Sequence, residues 1–283
     1  MKMSEKIKNA IRNYLEINDP QGISINIDQL LDHEAEVFKN ILWYRGESNE
    51  LEAFYKSIDP KSGTNHFWSA APTKGSKIRK IHTGLPGLIV DTLTDVCTDD
   101  LQKIELSERQ DEWDAIAKEN NFEDLVEKCV SDVLVTGDGA FKLSYDPEIS
   151  DYPIIEFFPA DRVETEYERG RLCCVVFKTQ KVINGKSYIL KEHYRKKSIT
   201  YSLESKTGER ADMASFAEFE KYKPIENRRG FIPAVFVRFK KSKKYEGRGK
   251  SIFSGKYDDF DSFDEVFSQW MLALRKGQIK TYI

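Results

Sequence analysis

The sequence lacks the features that mark a membrane or secreted protein. Its 283 residues contain no apolar run close to the ~20 residues that a bilayer crossing requires. The lysine-rich start, Met1 to Ala10, is not followed by an apolar stretch, so it does not resemble a secretory signal. Since 40% of the residues are hydrophobic, the chain can bury a sizeable core. We therefore expect a soluble, folded protein.

Motifs that carry chemistry are also scarce. The Gly-Asp-Gly segment at 137–139 lacks the third glycine of a dinucleotide fingerprint and the Lys-Ser/Thr of a phosphate loop, so we predict a turn there. None of the four histidines has a HxH or HExxH partner, and the four cysteines, predicted to be reduced and buried, show no CxxC spacing. Cys173 and Cys174 are adjacent, and neighbouring side chains of a strand point to opposite faces. We predict no catalytic residue, no cofactor and no metal.

Charge of one sign is not in excess. The chain has 44 basic and 47 acidic residues and a net charge of −3, whereas a protein that grips nucleic acid over a large surface is usually strongly basic. One local stretch departs from this balance and supplies our candidate DNA contacts: Lys240, Lys241, Lys243, Lys244, Arg248 and Lys250. These side chains could meet phosphates, or they could belong to a solvated hinge.

Hydrophobic periodicity predicts helices in the first ~135 residues. Gly46 is predicted to end the helix that precedes it, Ser48 to cap the start of a short helix, and Pro86 to be an early residue of the next helix. A glycine-rich loop is expected at 63–84. The predicted helices cover 2–17, 26–44, a short segment from 48, a segment from about 86 to 97, 110–119 and 122–136.

After Gly139 the pattern changes to strands. Asn184-Gly185 is the strongest hairpin signal and joins two predicted strands. The predicted strands are 140–145, 154–158, 171–181, 187–194, 198–203 and 233–239, with an irregular polar stretch at 204–230. The fold class is therefore α+β, with a helical N-terminal region and a small antiparallel β region containing hairpins.

A C-terminal amphipathic helix is predicted over about 259–276. Acidic residues crowd its start and basic residues its end, which suits the helix dipole. Its apolar face either packs inside this chain or contacts a neighbouring copy. We take this face as the candidate intersubunit surface: Phe260, Phe263, Phe267, Trp270, Met271 and Leu274.

Several segments together resemble the portal proteins of tailed bacteriophages, in the group found in long-tailed phages of Gram-positive hosts. Each motif alone is weak, but they occur in the right order over most of the chain. The segments that carry the resemblance are Trp43–Gly46, Glu50-Leu51, Phe54-Tyr55, Lys77–Arg79, His82–Pro86, Ile89–Asp91, Gly137–Lys142, Ile155–Phe157, Pro159–Val163, Gly249–Phe253 and Tyr257–Arg275.

The resemblance implies a structural subunit, not an enzyme, of a homo-oligomeric and typically dodecameric ring at one capsid vertex. Double-stranded DNA would pass through the ring, which would bind the terminase motor, the capsid and head-tail adaptor proteins. Residues 1–248 would correspond to the wing and 249–283 to the first stem helix. The clip, second stem helix and crown would be missing from this sequence. The implied location is the virion, after assembly in the host cytoplasm, with no membrane involved.

Two other functions stay open. A metal-dependent nuclease of a mobile element is the enzyme alternative, because carboxylates are plentiful. Its usual arrangement of a strand carboxylate followed closely by a lysine is not met at Glu156, which precedes two phenylalanines. A helical scaffold or adaptor without a DNA role is the third possibility.

Overall fold

The computed structural model describes residues 25–58, 66–70, 78–99, 101, 103–205 and 208–278, without the side chains of 25–32 and 278. The helix predicted over 2–17 and most of the loop predicted over 63–84 lie outside these residues. None of the helices in the described ranges combines the length and the hydropathy that a membrane crossing requires.

The chain divides into two compact units. The first contains the described residues up to Thr92 together with those from Ile252 onward, and the second contains Leu93–Ser251. The predicted boundary at 248/249 is close to one of the observed boundaries. The predicted single domain over 1–248, however, does not match these units, because the early helices belong with the terminal helix. Contacts between residues distant in sequence decide this grouping.

The first unit is helical. It contains α1 (Ile25–Arg45), α2 (Ser48–Ile58), the first half of α3 (Leu85–Asp99) and α6 (Tyr257–Gln278). Its core includes four fully or nearly fully buried side chains, Trp43, Leu51, Tyr55 and Trp68. Gly46 ends α1 with a positive φ of 66°, a backbone region that glycine adopts readily.

The second unit contains α4 (Gln110–Glu119) and α5 (Phe122–Thr136), followed by two antiparallel sheets. The strands are β1 (Asp138–Ser144), β2 (Ile154–Pro159), β3 (Val163–Glu168), β4 (Arg171–Ile183), β5 (Lys186–Arg195), β6 (Ser198–Ser205), β7 (Arg210–Ala211), β8 (Ile225–Glu226) and β9 (Ala234–Arg238). The small sheet has the order β2-β1-β9, and the large sheet has the order β3-β4-β5-β6-β7 with β8 paired to β6.

The small sheet has a packing partner on each face. One face packs against the large sheet through Ala140, Phe177 and Tyr194, and the other contacts α5 through Phe157 and Val133. The unit is therefore layered as helix, small sheet and large sheet. Because β1 lies between β2 and β9 and is covered on both sides, it is the central strand of this arrangement.

The α+β class is confirmed, and the bounds of α4 and α5 agree with the predicted ones. The predicted turn at Asn184-Gly185 joins β4 to β5, and both residues have positive φ, as a two-residue hairpin turn requires. Strand β3 was not predicted. Its sequence, VETEYE, alternates β-forming residues with glutamates, as a strand with one exposed face does, but the segment is only six residues long and half of it is charged. In the structure it pairs with β4.

Candidate functional site

Helix α6 buries a polar stripe, while most of its predicted apolar face is exposed or half-buried. Asp261, Asp264 and Ser268, spaced i, i+3 and i+7, are all buried, with Asp264 only 1% exposed. A charged or hydroxyl side chain is costly to bury unless it is hydrogen-bonded. The partners of these three side chains therefore determine why this side of the helix faces inward.

Asp264 accepts three hydrogen bonds from one short segment. Its Oδ2 lies 2.7 Å from Nδ1 of His82, and its Oδ1 accepts from the backbone N–H and the hydroxyl of Thr83 at 2.9 and 2.8 Å. One turn later, the Ser268 hydroxyl accepts from the backbone N–H of Ile81 at 3.0 Å. These bonds fix the segment 81–83, which has no regular structure of its own, against α6.

Asp261 fixes a second irregular segment in the same unit. Its Oδ2 accepts a hydrogen bond from the backbone N–H of Phe67 at 2.9 Å and lies 3.7 Å from Nδ1 of His66. The buried carboxylates of α6 thus satisfy backbone donors that no helix or sheet supplies with acceptors. Their role in this unit is structural.

Aromatic rings enclose these bonds. Trp43 lies at the centre, with ring centroids 5.6 Å from His82 and 5.9 Å from Phe260, and its indole N–H donates to the Tyr55 hydroxyl at 3.0 Å. Burial raises the pKa of Tyr55 well above its ordinary value. Phe260 is buried in this cluster, so it packs within the chain, and its assignment to an intersubunit surface was wrong.

The exposed side of α6 is apolar. Phe263, Val266, Trp270 and Leu274 are 49%, 66%, 58% and 47% exposed, respectively. Phe267 and Met271 are half-buried at the margin of this strip, and the ring of Phe267 contacts Trp270 at a centroid distance of 6.1 Å. Of the predicted intersubunit residues, three are therefore exposed, two are marginal and one is internal, while Val266 was missed.

The basic segment presents lysines but not its arginine. Lys240, Lys241, Lys243, Lys244 and Lys250 are exposed. Arg248 is 6% exposed and donates to the carbonyls of Val163 and Ala160 at 2.8 and 2.9 Å, with its Nη2 also 2.9 Å from Asp138 Oδ1. Its predicted role as a DNA contact is therefore wrong, because the guanidinium group is used inside the second unit.

Gly249 and Asp138 explain why glycines occur at this corner. The backbone N–H of Gly249 donates to Asp138 Oδ2 at 2.6 Å, and a Cβ atom at Gly249 would lie 1.9 Å from the carbonyl oxygen of Gly137. Any larger residue would push the two backbone segments apart. The Gly-Asp-Gly segment lies at the corner between the helix that ends at Thr136 and β1, which begins at Asp138, as the sequence predicted.

A buried cation lies between the two sheets. Lys142 on β1 is 2.7 Å from Glu156 on β2 and 3.3 Å from Glu192 on β5. Burial lowers the pKa of the Lys142 ammonium, but the two carboxylates outweigh that effect and raise it above its ordinary value. Glu156, examined in the sequence as a nuclease residue, thus forms an ion pair with a lysine across the sheet.

One cluster in the described residues has the composition of a metal site: Glu166, Cys174 and His193, whose donor atoms lie within 4.8 Å of one another. Burial raises the pKa of the Cys174 thiol to about 12, and burial together with Arg195 lowers the pKa of His193. The prediction of buried cysteines holds for Cys129 and Cys174, whereas Cys97 is exposed and Cys173 is half-buried. Sequence spacing missed the cluster because β3, which carries Glu166, was not predicted.

Comparisons of the sequence with protein-family models and with curated proteins return no match. The segments that carry the resemblance can still be compared by position. Within the first unit, Trp43–Gly46 and His82–Pro86 converge with α6. Within the second, Gly137–Lys142, Pro159–Val163 and Gly249 converge around the Arg248–Asp138 pair. These segments, a part of those that carry the resemblance, thus belong to two buried polar clusters, one in each unit.

Proposed function

We propose that this chain is a structural subunit of a ring of the kind that tailed-bacteriophage portal proteins form, with α6 packing against neighbouring copies and double-stranded DNA passing through. The exposed apolar strip of α6 is the observation that carries this proposal. Contiguous exposed apolar surface bounded by polar residues is typical of protein interaction sites. An intersubunit face also explains why the buried side of this helix is polar.

A ring requires heterologous contacts, in which one face of the subunit meets a different face of the next copy. The exposed strip of α6 supplies one such face without any change in the core of the first unit. Covering the Trp270 side chain alone would contribute roughly 1.5–3 kcal/mol per interface, and twelve interfaces multiply this contribution around a ring. The strip is therefore energetically sufficient to matter in assembly.

The charge distribution also suits a conduit better than a tight DNA binder. Each phosphate that a protein neutralises adds salt-dependent affinity, which would slow the passage of DNA. A net charge of −3 avoids that effect over the molecule as a whole. The exposed lysines at 240–250 would then supply local and weak phosphate contacts. In this proposal the packaging motor, the capsid and the head-tail adaptors are partners of the ring.

Light scattering on the purified full chain tests the assembly. Twelve copies of the 32.8 kDa chain correspond to about 390 kDa. We expect Trp270→Ala to lower the ring fraction strongly, because it removes the largest exposed side chain of the strip. Gln269→Ala, at the exposed neighbouring position, is the matched control and should assemble as the wild type does.

Three outcomes would contradict the proposal or part of it. A wild-type chain that stays monomeric at every concentration would refute the ring. Rings of Trp270→Ala that are as stable as the wild type would refute the assignment of the strip. Cleavage of plasmid DNA that depends on Mg²⁺ would favour the nuclease alternative instead.

A further inference from the structure

The donor atoms of Glu166, Cys174 and His193 converge on one face of the large sheet. Cys174 on β4 lies directly opposite Glu166 on β3, and Val176, two residues further on, lies opposite His193 on β5. Because side chains two residues apart point to the same face, all three ligand candidates project together. A glutamate oxygen, a thiol sulfur and an imidazole nitrogen thus lie within 4.8 Å of one another.

The histidine has one nitrogen engaged and one free. Its Nε2 is 2.9 Å from the Ser202 hydroxyl on β6, whereas its Nδ1 is buried and has no hydrogen-bond partner among the described residues. A metal-ligating histidine usually holds its second nitrogen in a hydrogen bond of this kind, which fixes the ring orientation and the tautomer. The bond to Ser202 leaves Nδ1 as the nitrogen that can bind a metal.

The carboxylate is held in a similar way. Both oxygens of Glu166 lie near Nη2 of Arg195, at 3.1 and 3.3 Å, and Glu166 is partly exposed. An outer hydrogen bond of this type orients a ligating carboxylate without occupying all its lone pairs. The exposed side of the cluster also leaves room for an ion to enter.

A β-bulge places the sulfur. The β3–β4 register shifts beyond the Glu166–Cys174 pair, so that Tyr167 pairs with Leu172 and Cys173 has no partner residue. Cys173 is turned away, and its thiol donates to the Glu166 carbonyl at 3.1 Å, while Cys174 is buried. Bulges are common where a sheet re-aims a side chain next to a site. The adjacent cysteines therefore have different environments, and only Cys174 belongs to the cluster.

We propose that Glu166, Cys174 and His193 form a zinc site with three protein ligands and one open position. One sulfur, one nitrogen and one carboxylate oxygen form a donor set that suits Zn²⁺, and a fourth position filled by water completes a tetrahedron. The ion would join β3 to β4 and β5. Binding replaces the thiol proton of Cys174 with the metal, so one proton is released for each ion bound. This site is independent of the proposed ring.

Metal titration of the full chain tests the site. After treatment with a chelator, we expect Co²⁺ to bind in a 1:1 ratio with the intense near-ultraviolet absorption of a cobalt–thiolate bond, and Zn²⁺ to displace it. Cys174→Ser and His193→Gln should abolish this absorption. Ser202→Ala should weaken binding about 10- to 100-fold, because it removes the bond that holds the imidazole. Cys173→Ser is the matched control and should bind as the wild type does.

The variants also separate misfolding from lost ligands. Cys174 is fully buried, so its serine variant is used only if its circular dichroism matches the wild type. His193→Gln and Glu166→Gln alter less buried positions and keep the test decisive if that variant does not fold. A wild-type chain without thiolate absorption at stoichiometric Co²⁺ would overturn the proposal. So would absorption that disappears in Cys173→Ser and persists in Cys174→Ser and His193→Gln.

Discussion

The carboxylate of Asp264 accepts three hydrogen bonds that hold α6 in position. Removing this carboxylate is therefore the sharpest test of what stabilises the first unit. Asp264→Ala deletes the acceptor for His82 Nδ1, the Thr83 N–H and the Thr83 hydroxyl at once. Asp264 is 1% exposed and the His82 side chain 3%, whereas Thr83 is half-buried, so water can replace the lost acceptor only in part. The three donors would be left without their acceptor in a largely buried position.

Each unpaired buried polar group costs about 1–3 kcal/mol. Contributions within one network are not additive, and the segment 81–83 can relax, so we take the lower part of the summed range. The expected loss in the free energy of unfolding is about 3–5 kcal/mol. At a urea dependence of about 2 kcal/mol per molar, this loss lowers the unfolding midpoint by about 1.5–2.5 M.

Urea unfolding followed by tryptophan fluorescence measures this effect directly, because Trp43 and Trp68 both contact the His82 ring. Glu265→Ala is the control on the next residue of the same helix. Glu265 is exposed and, among the described residues, accepts a hydrogen bond only from Gln269, so its removal should change the stability by less than about 0.5 kcal/mol. Equal midpoints for Asp264→Ala and Glu265→Ala would show that the buried polar stripe does not hold the helix.

Two further predictions concern a glycine and a carboxylate. A Cβ atom at Gly46 would lie 2.4 Å from Cδ2 of His82, whereas a Cβ atom at Gly84, which has a similar positive φ, would have no atom of the described residues within 4 Å. Gly46→Ala should therefore destabilise more than Gly84→Ala, and thermal unfolding compares the two variants. Burial opposes ionisation of Glu164, but Lys178 and Lys191, each 3.5 Å away, outweigh it and lower the pKa of the carboxyl below its ordinary value of 4.5. The ionised Glu164 therefore contributes to stability above pH ~4.5, and this contribution is lost as the pH falls through the lowered pKa. Glu164→Gln should make the free energy of unfolding fall less steeply at acid pH. Identical slopes for the variant and the wild type would contradict this reasoning.

Local patterns predicted most of the regular elements because those patterns act over a few residues. Helices α4 and α5 follow from their hydrophobic spacing, and the β4–β5 hairpin follows from Asn184-Gly185, whose backbone angles only a few residues adopt readily. Strands β3, β7 and β8 were not predicted. The residues of β3 alternate at the spacing of a strand, but the segment is short and half of its residues are glutamates. The two-residue strands β7 and β8 lie in the stretch that was predicted to be irregular, and they form by pairing with β6.

The sites were harder to predict because they depend on registers and on distant partners. Cys174 and His193 are visible in the sequence, but nothing in the sequence places Glu166 opposite Cys174. That placement requires β3 and its bulge. Arg248 was counted with the neighbouring lysines because charge alone does not distinguish a solvated cation from one that binds buried carbonyls and Asp138. In each case the missing information was the partner of the side chain.

Helix α6 shows why the burial of an apolar face cannot be inferred from periodicity alone. Its spacing correctly predicted a helix. Which face of a helix is buried, however, depends on all the contacts of that face and not on hydropathy alone. Inside the first unit, the backbone donors of Phe67, Ile81 and Thr83 require acceptors, and Asp261, Ser268 and Asp264 supply them. Orienting these groups inward leaves Trp270 and its apolar neighbours exposed. Exposing these side chains to water costs free energy, and a monomer has no contact that would offset this cost. A neighbouring copy that covers the strip removes this cost, so the buried polar stripe of α6 is compatible with the proposed assembly.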